Sequence, residues 1–270
     1  VPENQPFYMD GGSVVFFEQS PFTKKNYWQM RNNENSSCAV RHRGETVFRE
    51  VDQPFSGLHR TRRTGARTFD VWSLRKKKYQ IGETVALSMN NCRETAGAFF
   101  SESSDLAVAQ VTVNYLHGFG WLTQMCRDVS FTGVHFHPDS QHHVSSFADC
   151  IHVCGCKGTV TIKDCSFTQA HDDAINIHGA FLRFVRRVDD HTAVFQFVHR
   201  QQGGYRAFFP GDTVRFYYRS SLQPCGEENT VAAVEDDIDA KTCTLTFDRP
   251  LPEDIDAKFR GQQNVVIENA

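Results

Sequence analysis

Residues 149–179 read DCIHVCGCKGTVTIKDCSFTQAHDDAINIHG, and this stretch decides the fold. Two runs within it, Gly158-Thr-Val-Thr-Ile-Lys-Asp164 and Ala174-Ile-Asn-Ile-His178, put β-branched residues at alternate positions, the period of a strand. Asp149 precedes Cys-Ile-His-Val, and the pair Asp172-Asp173 precedes Ala-Ile-Asn-Ile. Acids therefore recur at one point of a strand pattern, with Asp149 and Asp173 separated by 24 residues.

The same spacing extends outward. Leu106–Val113, Val129–Phe136 and Val160–Phe167 read as equivalent strands whose starts lie 23 and 31 residues apart, the longer interval carrying the extra loop Pro138–His143. Strands at such a period, without a helical stripe, predict an all-β chain built as a parallel β-helix, each coil stacked about 4.8 Å from the last. A β-sandwich would give short strands but would not return one phrase at one place in successive turns. The phrase Gly82-Glu-Thr-Val85 recurs as Gly211-Asp-Thr-Val214 ahead of alternating residues, which predicts two small antiparallel modules, each barrel-like. The expected division is an irregular part with a small β module over 1–84, coils over 85–180, an inserted antiparallel module over 181–260, and a return to the coils over 261–270. Val14–Phe17 and Thr46–Phe48 are expected strands of the first part. The ends read as those of a processed or truncated piece.

Bulk properties narrow the function. The 270 residues, 40% hydrophobic and 23% charged, suit one large domain or two smaller ones. A formal charge of -3 gives no basic footprint for nucleic acid, and no apolar run reaches the roughly 20 residues of a membrane span. Nine cysteines cannot all pair within the chain. Cys150, Cys154 and Cys156 lack the spacing of a structural zinc site and read as small buried hydrophobes. No metal or cofactor is called for.

If the coils align, Asp149, Asp172 and Asp173 share one patch, where three carboxylates cannot all ionise freely and one is expected to hold a proton. A protonated acid beside an ionised base is what cleavage of a glycosidic bond requires. Inverting enzymes keep the two groups roughly 6.5–9.5 Å apart, wider than direct stacking, so the side chains must diverge or Asp172 must serve. Blander readings are an Asx turn at Asp149 and a calcium site at the Asp pair, although calcium normally recruits more acids in series. His117, His152, His171 and His178 could serve as ligands or general bases, although each also suits an ordinary hydrogen-bonded histidine; His171 and His178 flank the pair and, with His117, are candidate substrate contacts. Trp121 is balanced between a sugar-stacking platform and core. Gln124 falls one coil before Asp149 and is a candidate partner for a sugar hydroxyl.

The runs Tyr115-Leu-His-Gly-Phe-Gly-Trp-Leu-Thr-Gln124, Ala148-Asp-Cys-Ile-His-Val-Cys-Gly-Cys-Lys-Gly-Thr-Val160 and Asp172-Asp-Ala-Ile-Asn-Ile-His-Gly179 resemble family 110 of the glycoside hydrolases. The resemblance implies a bacterial, periplasmic or secreted exo-acting enzyme that releases terminal α-1,3-linked galactose, including that of the blood group B determinant. It further implies a right-handed parallel β-helix with β-barrel insertions and an inverting mechanism without a metal. The family's catalytic aspartates match Asp149, Asp172 and Asp173, and Asn176 lies in the same phrase as a substrate-binding candidate. A glycan ending in α-galactose is the implied partner, and a homodimer is compatible with a solenoid flank. The match is sharpest over residues 80–180. His171 before the pair, the histidine-rich loop and the many cysteines depart from it, which leaves linkage and aglycone open. Two alternatives stand beside it. A polygalacturonase-like hydrolase would add Gly-His-Gly and Arg-x-Lys phrases on later coils, and neither appears after Gly179. A non-catalytic, polysaccharide-binding β-helix would leave an acidic trio without compensating charge.

Overall fold

The computed structural model describes residues 96–269 except 117, 118, 140, 141, 143, 147, 171, 200 and 201, and before residue 96 the backbone of seven strands. These are β1 (Phe7–Tyr8), β2 (Ser13–Val15), β3 (Ser36–Arg41), β4 (Arg49–Val51), β5 (Leu58–Arg63), β6 (Thr68–Ser73) and β7 (Thr84–Met89). They pair antiparallel in two sheets, β1-β7-β3-β4 and β2-β6-β5. The Gly-Glu-Thr-Val phrase enters β7 at Thr84, whereas the strand expected at Thr46–Phe48 lies outside the described residues.

Eight strands follow: β8 (Ala96–Ser101), β9 (Ser104–Val113), β10 (Phe119–Gln124), β11 (Arg127–Phe136), β12 (Ile151–Cys154), β13 (Lys157–Lys163), β14 (Ser166–Phe167) and β15 (Ile175–His178). Strands β8, β10, β12 and β15 lie side by side in one sheet, and β9, β11 and β13 in another, with β14 beside the end of β11. The pairings of β10 with β8 and β12, and of β11 with β9 and β13, are parallel. Leu106, Val129 and Val160 are register partners, so the two unequal sequence intervals correspond to equivalent places in successive turns.

Backbone corners repeat with the strands. Glu102, Met125 and Gly155 follow the register partners Ser101, Gln124 and Cys154, and all three have positive φ. Asp105, Asp128 and Gly158 repeat the device three residues on. A left-handed residue with a side chain costs about 1–2 kcal/mol. Stacking offsets that cost here through hydrogen bonds between turns, from Glu102 N–H to the Gln124 carbonyl and from Met125 N–H to that of Cys154, both 3.1 Å. Inward-facing Trp121, Val129, Phe131, Phe136, Ile151 and Val153 form the buried core between the sheets.

The last eight strands are β16 (Leu182–Arg187), β17 (Thr192–Phe197), β18 (Thr213–Tyr218), β19 (Asn229–Asp237), β20 (Thr242–Phe247), β21 (Lys258–Phe259), β22 (Gln262–Gln263) and β23 (Val265–Asn269). Six of them close a barrel in the order β16-β17-β20-β19-β18-β23, which leaves no free sheet edge. Alternate residues of Thr242–Phe247 point inward, where Phe184, Phe195, Phe216 and Phe247 meet largely edge to face. Residues 261–269 therefore do not return to the parallel sheets, as the expectation for 261–270 had it, and residue 270 lies outside the described residues. The strand β23 inserts between β16 and β18, with Ile267 paired to Leu182 and Phe216 and fully buried in the barrel core. The chain divides by its contacts into units 1–176 and 177–270. Among the described residues no helix is long and apolar enough to cross a membrane.

One barrel carboxylate makes stability depend on pH. Burial raises the Glu268 carboxyl above its ordinary value, and the Arg215 guanidinium opposes the shift. A raised folded-state value means that the stabilising contribution is complete below the unfolded value and is lost as pH rises through the folded one. Glu268→Gln is expected to flatten this loss: its thermal midpoint should decline less than that of the parent between pH 4 and pH 7. Parallel curves would refute the assignment.

Candidate active site

The site starts from the way one turn follows another. Gly120 N–H donates to the Asp149 carbonyl and Cys150 N–H to the Asp173 carbonyl, each at 2.9 Å. The same hydrogen bond thus recurs from coil to coil, which places Asp149 and Asp173 one turn apart at the entrance to their strands. Side-chain oxygens of Asp149, Asp172 and Asp173 all lie within 4.8 Å of one another.

The environments of the three acids differ. Asp149 is 4% exposed, whereas Asp172 and Asp173 face solvent. Its Oδ2 accepts hydrogen bonds from His152 Nδ1 at 2.5 Å and from Asn176 Nδ2 at 3.0 Å. Strand alternation explains both donors. Ile151 and Val153 turn into the core, so His152 between them faces outward, and Asn176 occupies the corresponding place on β15. The edge of the Phe119 ring packs on His152, with centroids 5.4 Å apart, and steadies the imidazole. Gly120 lets the turns approach at this level, because a Cβ there would lie 2.1 Å from the Cys150 carbonyl oxygen and 2.3 Å from that of Asp149.

Burial pushes the Cys150 thiol up to about 11, against the hydrogen bond from Ser145 and with a further rise from the Asp149 charge. Beside the acids it is a neutral thiol at physiological pH and not a nucleophile. The acidic trio is also the one set of His, Cys, Asp or Glu side chains among the described residues that converges closely enough for a cation. Three carboxylates fall short of the roughly six to eight oxygens that calcium takes, unless water and backbone supply the rest.

Other candidates from the sequence sort themselves by position. Asn176 joins the site directly. Trp121 does not offer a stacking platform: it is 7% exposed, and its ring packs against Phe100, Phe131 and Phe136 in the core. Gln124 pairs with Cys154, at the opposite end of β10 from Gly120 and the Asp149 level. His178 ends β15, its Nδ1 2.7 Å from the Gly179 carbonyl oxygen. His117 and His171 lie outside the described residues. His152, in the sequence one of four histidines that could serve as ligand or general base, is here tied to Asp149, and Gly120 is a member of the site that the sequence reading did not single out. An Asp followed three residues later by an outward His in a strand was the available signal for the first, and the Gly-Phe-Gly phrase for the second.

The barrel matches a family model described as the GLAA-B beta-barrel domain II over residues 192–258. Across 98% of its length the chain is 27% identical to alpha-1,3-galactosidase A of Streptomyces avermitilis, of which it covers 44%. It is 30% identical to alpha-1,3-galactosidase A of Peterkaempfera griseoplana over 93% of its length and 37% of that protein. Its identity to alpha-1,3-galactosidase A of Bacteroides fragilis is 33%, over 64% of the chain and 29% of the relative. The chain thus spans less than half the length of each of these relatives.

Proposed function

We propose that the chain belongs with the α-1,3-galactosidases of glycoside hydrolase family 110, a reading supported by its relatives and its barrel, and that it carries the catalytic acids of an exo-acting enzyme releasing terminal α-1,3-linked galactose with inversion. One observation carries this reading: Asp149, Asp172 and Asp173 converge within 4.8 Å at one level of adjacent turns. The stacked parallel sheets with their repeated left-handed corners are read here as coils of a right-handed parallel β-helix, the hand that parallel crossovers adopt almost without exception.

Asp149 is assigned as general acid. It is buried and held by two donors, which suits a group that delivers its proton to the glycosidic oxygen in one fixed direction. Asp172 or Asp173, both open to solvent, takes the proton from the water that attacks the anomeric carbon on the opposite face. The carboxylates stand closer than the roughly 6.5–9.5 Å of inverting enzymes. Rotation of an exposed aspartate about χ1 opens room for that water as the galactoside enters.

Proton NMR of the first product from galactose-α-1,3-galactose tests linkage, exo-action and stereochemistry together. β-Galactose is expected before mutarotation. Initial α-galactose would overturn inversion, and no release of galactose would overturn the hydrolase reading.

A further inference from the structure

Within the barrel unit, a cleft of about 480 Å³ is lined by Arg219, Ser220, Phe259, Arg260 and Gln262. Its volume lies in the range of small-ligand sites, roughly 300–1,000 Å³, and suits one or two sugar rings. Its walls are held from beneath by Asn264, which is 8% exposed. The Asn264 carbonyl accepts Arg219 N–H at 2.6 Å, its Oδ1 accepts Ser220 N–H at 3.1 Å, and its Nδ2 donates to Ser220 Oγ at 3.1 Å.

The facing wall is the two-residue turn Arg260-Gly261 between β21 and β22, with φ of +51° and +77°. Positive φ at both central residues is the mark of a type I′ turn, whose first position Asn or Gly occupies at least cost. An arginine there keeps a strained backbone where a cheaper residue would serve, which points to a use for its side chain. That guanidinium lies over the Phe259 ring, 5.1 Å from its centroid, and Arg219 Nη1 donates to Gln262 Oε1 at 3.3 Å. Among the described residues neither arginine has a carboxylate partner. In the short turn that precedes β21, Asp254 accepts from the Tyr218 hydroxyl and Asp256 pairs with Arg187.

We propose that this cleft binds a saccharide bearing a carboxylate or sulfate group. The guanidinium forks of Arg219 and Arg260 take the oxyanion, as planar donors do best. The apolar face of the pyranose lies on Phe259, and Gln262 and Ser220 meet ring hydroxyls. The site would hold acidic glycans on the protein independently of the acidic trio, so its test does not depend on the hydrolase reading.

Isothermal titration of the protein with a uronate-containing disaccharide, a sulfated galactose disaccharide, neutral galactobiose and sodium sulfate tests the proposal. Saturable binding of at least one charged disaccharide is expected, at least tenfold tighter than galactobiose and sodium sulfate, and the charged sugar that binds identifies the anion. Arg219→Ala and Arg260→Asn should each weaken it about tenfold. The second change places a favoured residue in the turn, so the fold survives. Phe259→Ala should weaken the disaccharide and leave any sulfate binding unchanged. Affinity that survives the Arg219→Ala/Arg260→Asn double variant, or charged disaccharides that bind no better than galactobiose, would overturn the site. Sodium sulfate binding as tightly as the disaccharides would overturn its assignment to a saccharide.

Discussion

Asp149→Asn is expected to lower kcat/KM for galactose release by about 10²–10⁴-fold, the size of a general acid–base contribution, while the fold persists. Two hydrogen bonds to Asp149, from His152 and Asn176, converge on one oxygen, Oδ2. An asparagine that sets its carbonyl oxygen in that place still accepts both bonds and turns its amide toward the position of Oδ1. The substitution therefore removes the proton to be delivered and little else, and circular dichroism with a thermal melt should match the parent. Alanine would be a poorer probe, since it strands the Asn176 amide and the His152 N–H in a buried setting at about 1–3 kcal/mol. Asp172→Asn and Asp173→Asn complete the series. Both residues are exposed, so any loss of activity in them reports chemistry and not folding. Full activity in any two of the three variants would remove the assignment.

The parts of the molecule that were legible in the sequence are those where one residue type has one structural use. Leu106, Val129 and Val160 fill equivalent inward positions, so their unequal spacing still reports the turns they belong to. The recurrence of an acid before a strand worked in the same way, because it located the hydrogen-bond column that joins Asp149 to Asp173. The corners gave no such signal. Glu102 and Met125 adopt positive φ without being glycine or asparagine, because the stacked turns impose the conformation and local propensity does not. Val265-Val-Ile-Glu-Asn269 alternates as well for a barrel as for a coil, and only partners distant in sequence, Leu182 and Phe216, decide between the two. Trp121 and His152 show the same limit from opposite sides. A tryptophan suits a sugar and a core alike, and an isolated histidine suits many roles, until register sends one inward and the other to the Asp149 carboxylate.

Gly120→Ala should destabilise the chain by about 3 kcal/mol, the upper end of the usual cost of overpacking. The backbone dihedrals of Gly120 are not of the left-handed kind. On conformational grounds alone the change would therefore stabilise by about 0.4–1 kcal/mol through the unfolded chain. The clash outweighs that gain, because the new methyl meets the Cys150 and Asp149 carbonyl oxygens, which are backbone atoms and cannot swing aside as a side-chain tip would. Relief requires the two turns to separate, which stretches the hydrogen bond from Gly120 N–H to the Asp149 carbonyl and moves the Asp149 carboxylate with its backbone. A displacement near 1 Å at a reacting group is enough to cost about 10²-fold in rate. Stability and activity should therefore fall together, in contrast to Asp149→Asn, where activity alone falls. Chemical denaturation reads the first effect as a lower midpoint at unchanged slope. A loss below about 1 kcal/mol with full activity would mean that the turns do not approach closely at Gly120, and the support for Asp149 would have to be sought in His152 and Asn176 alone.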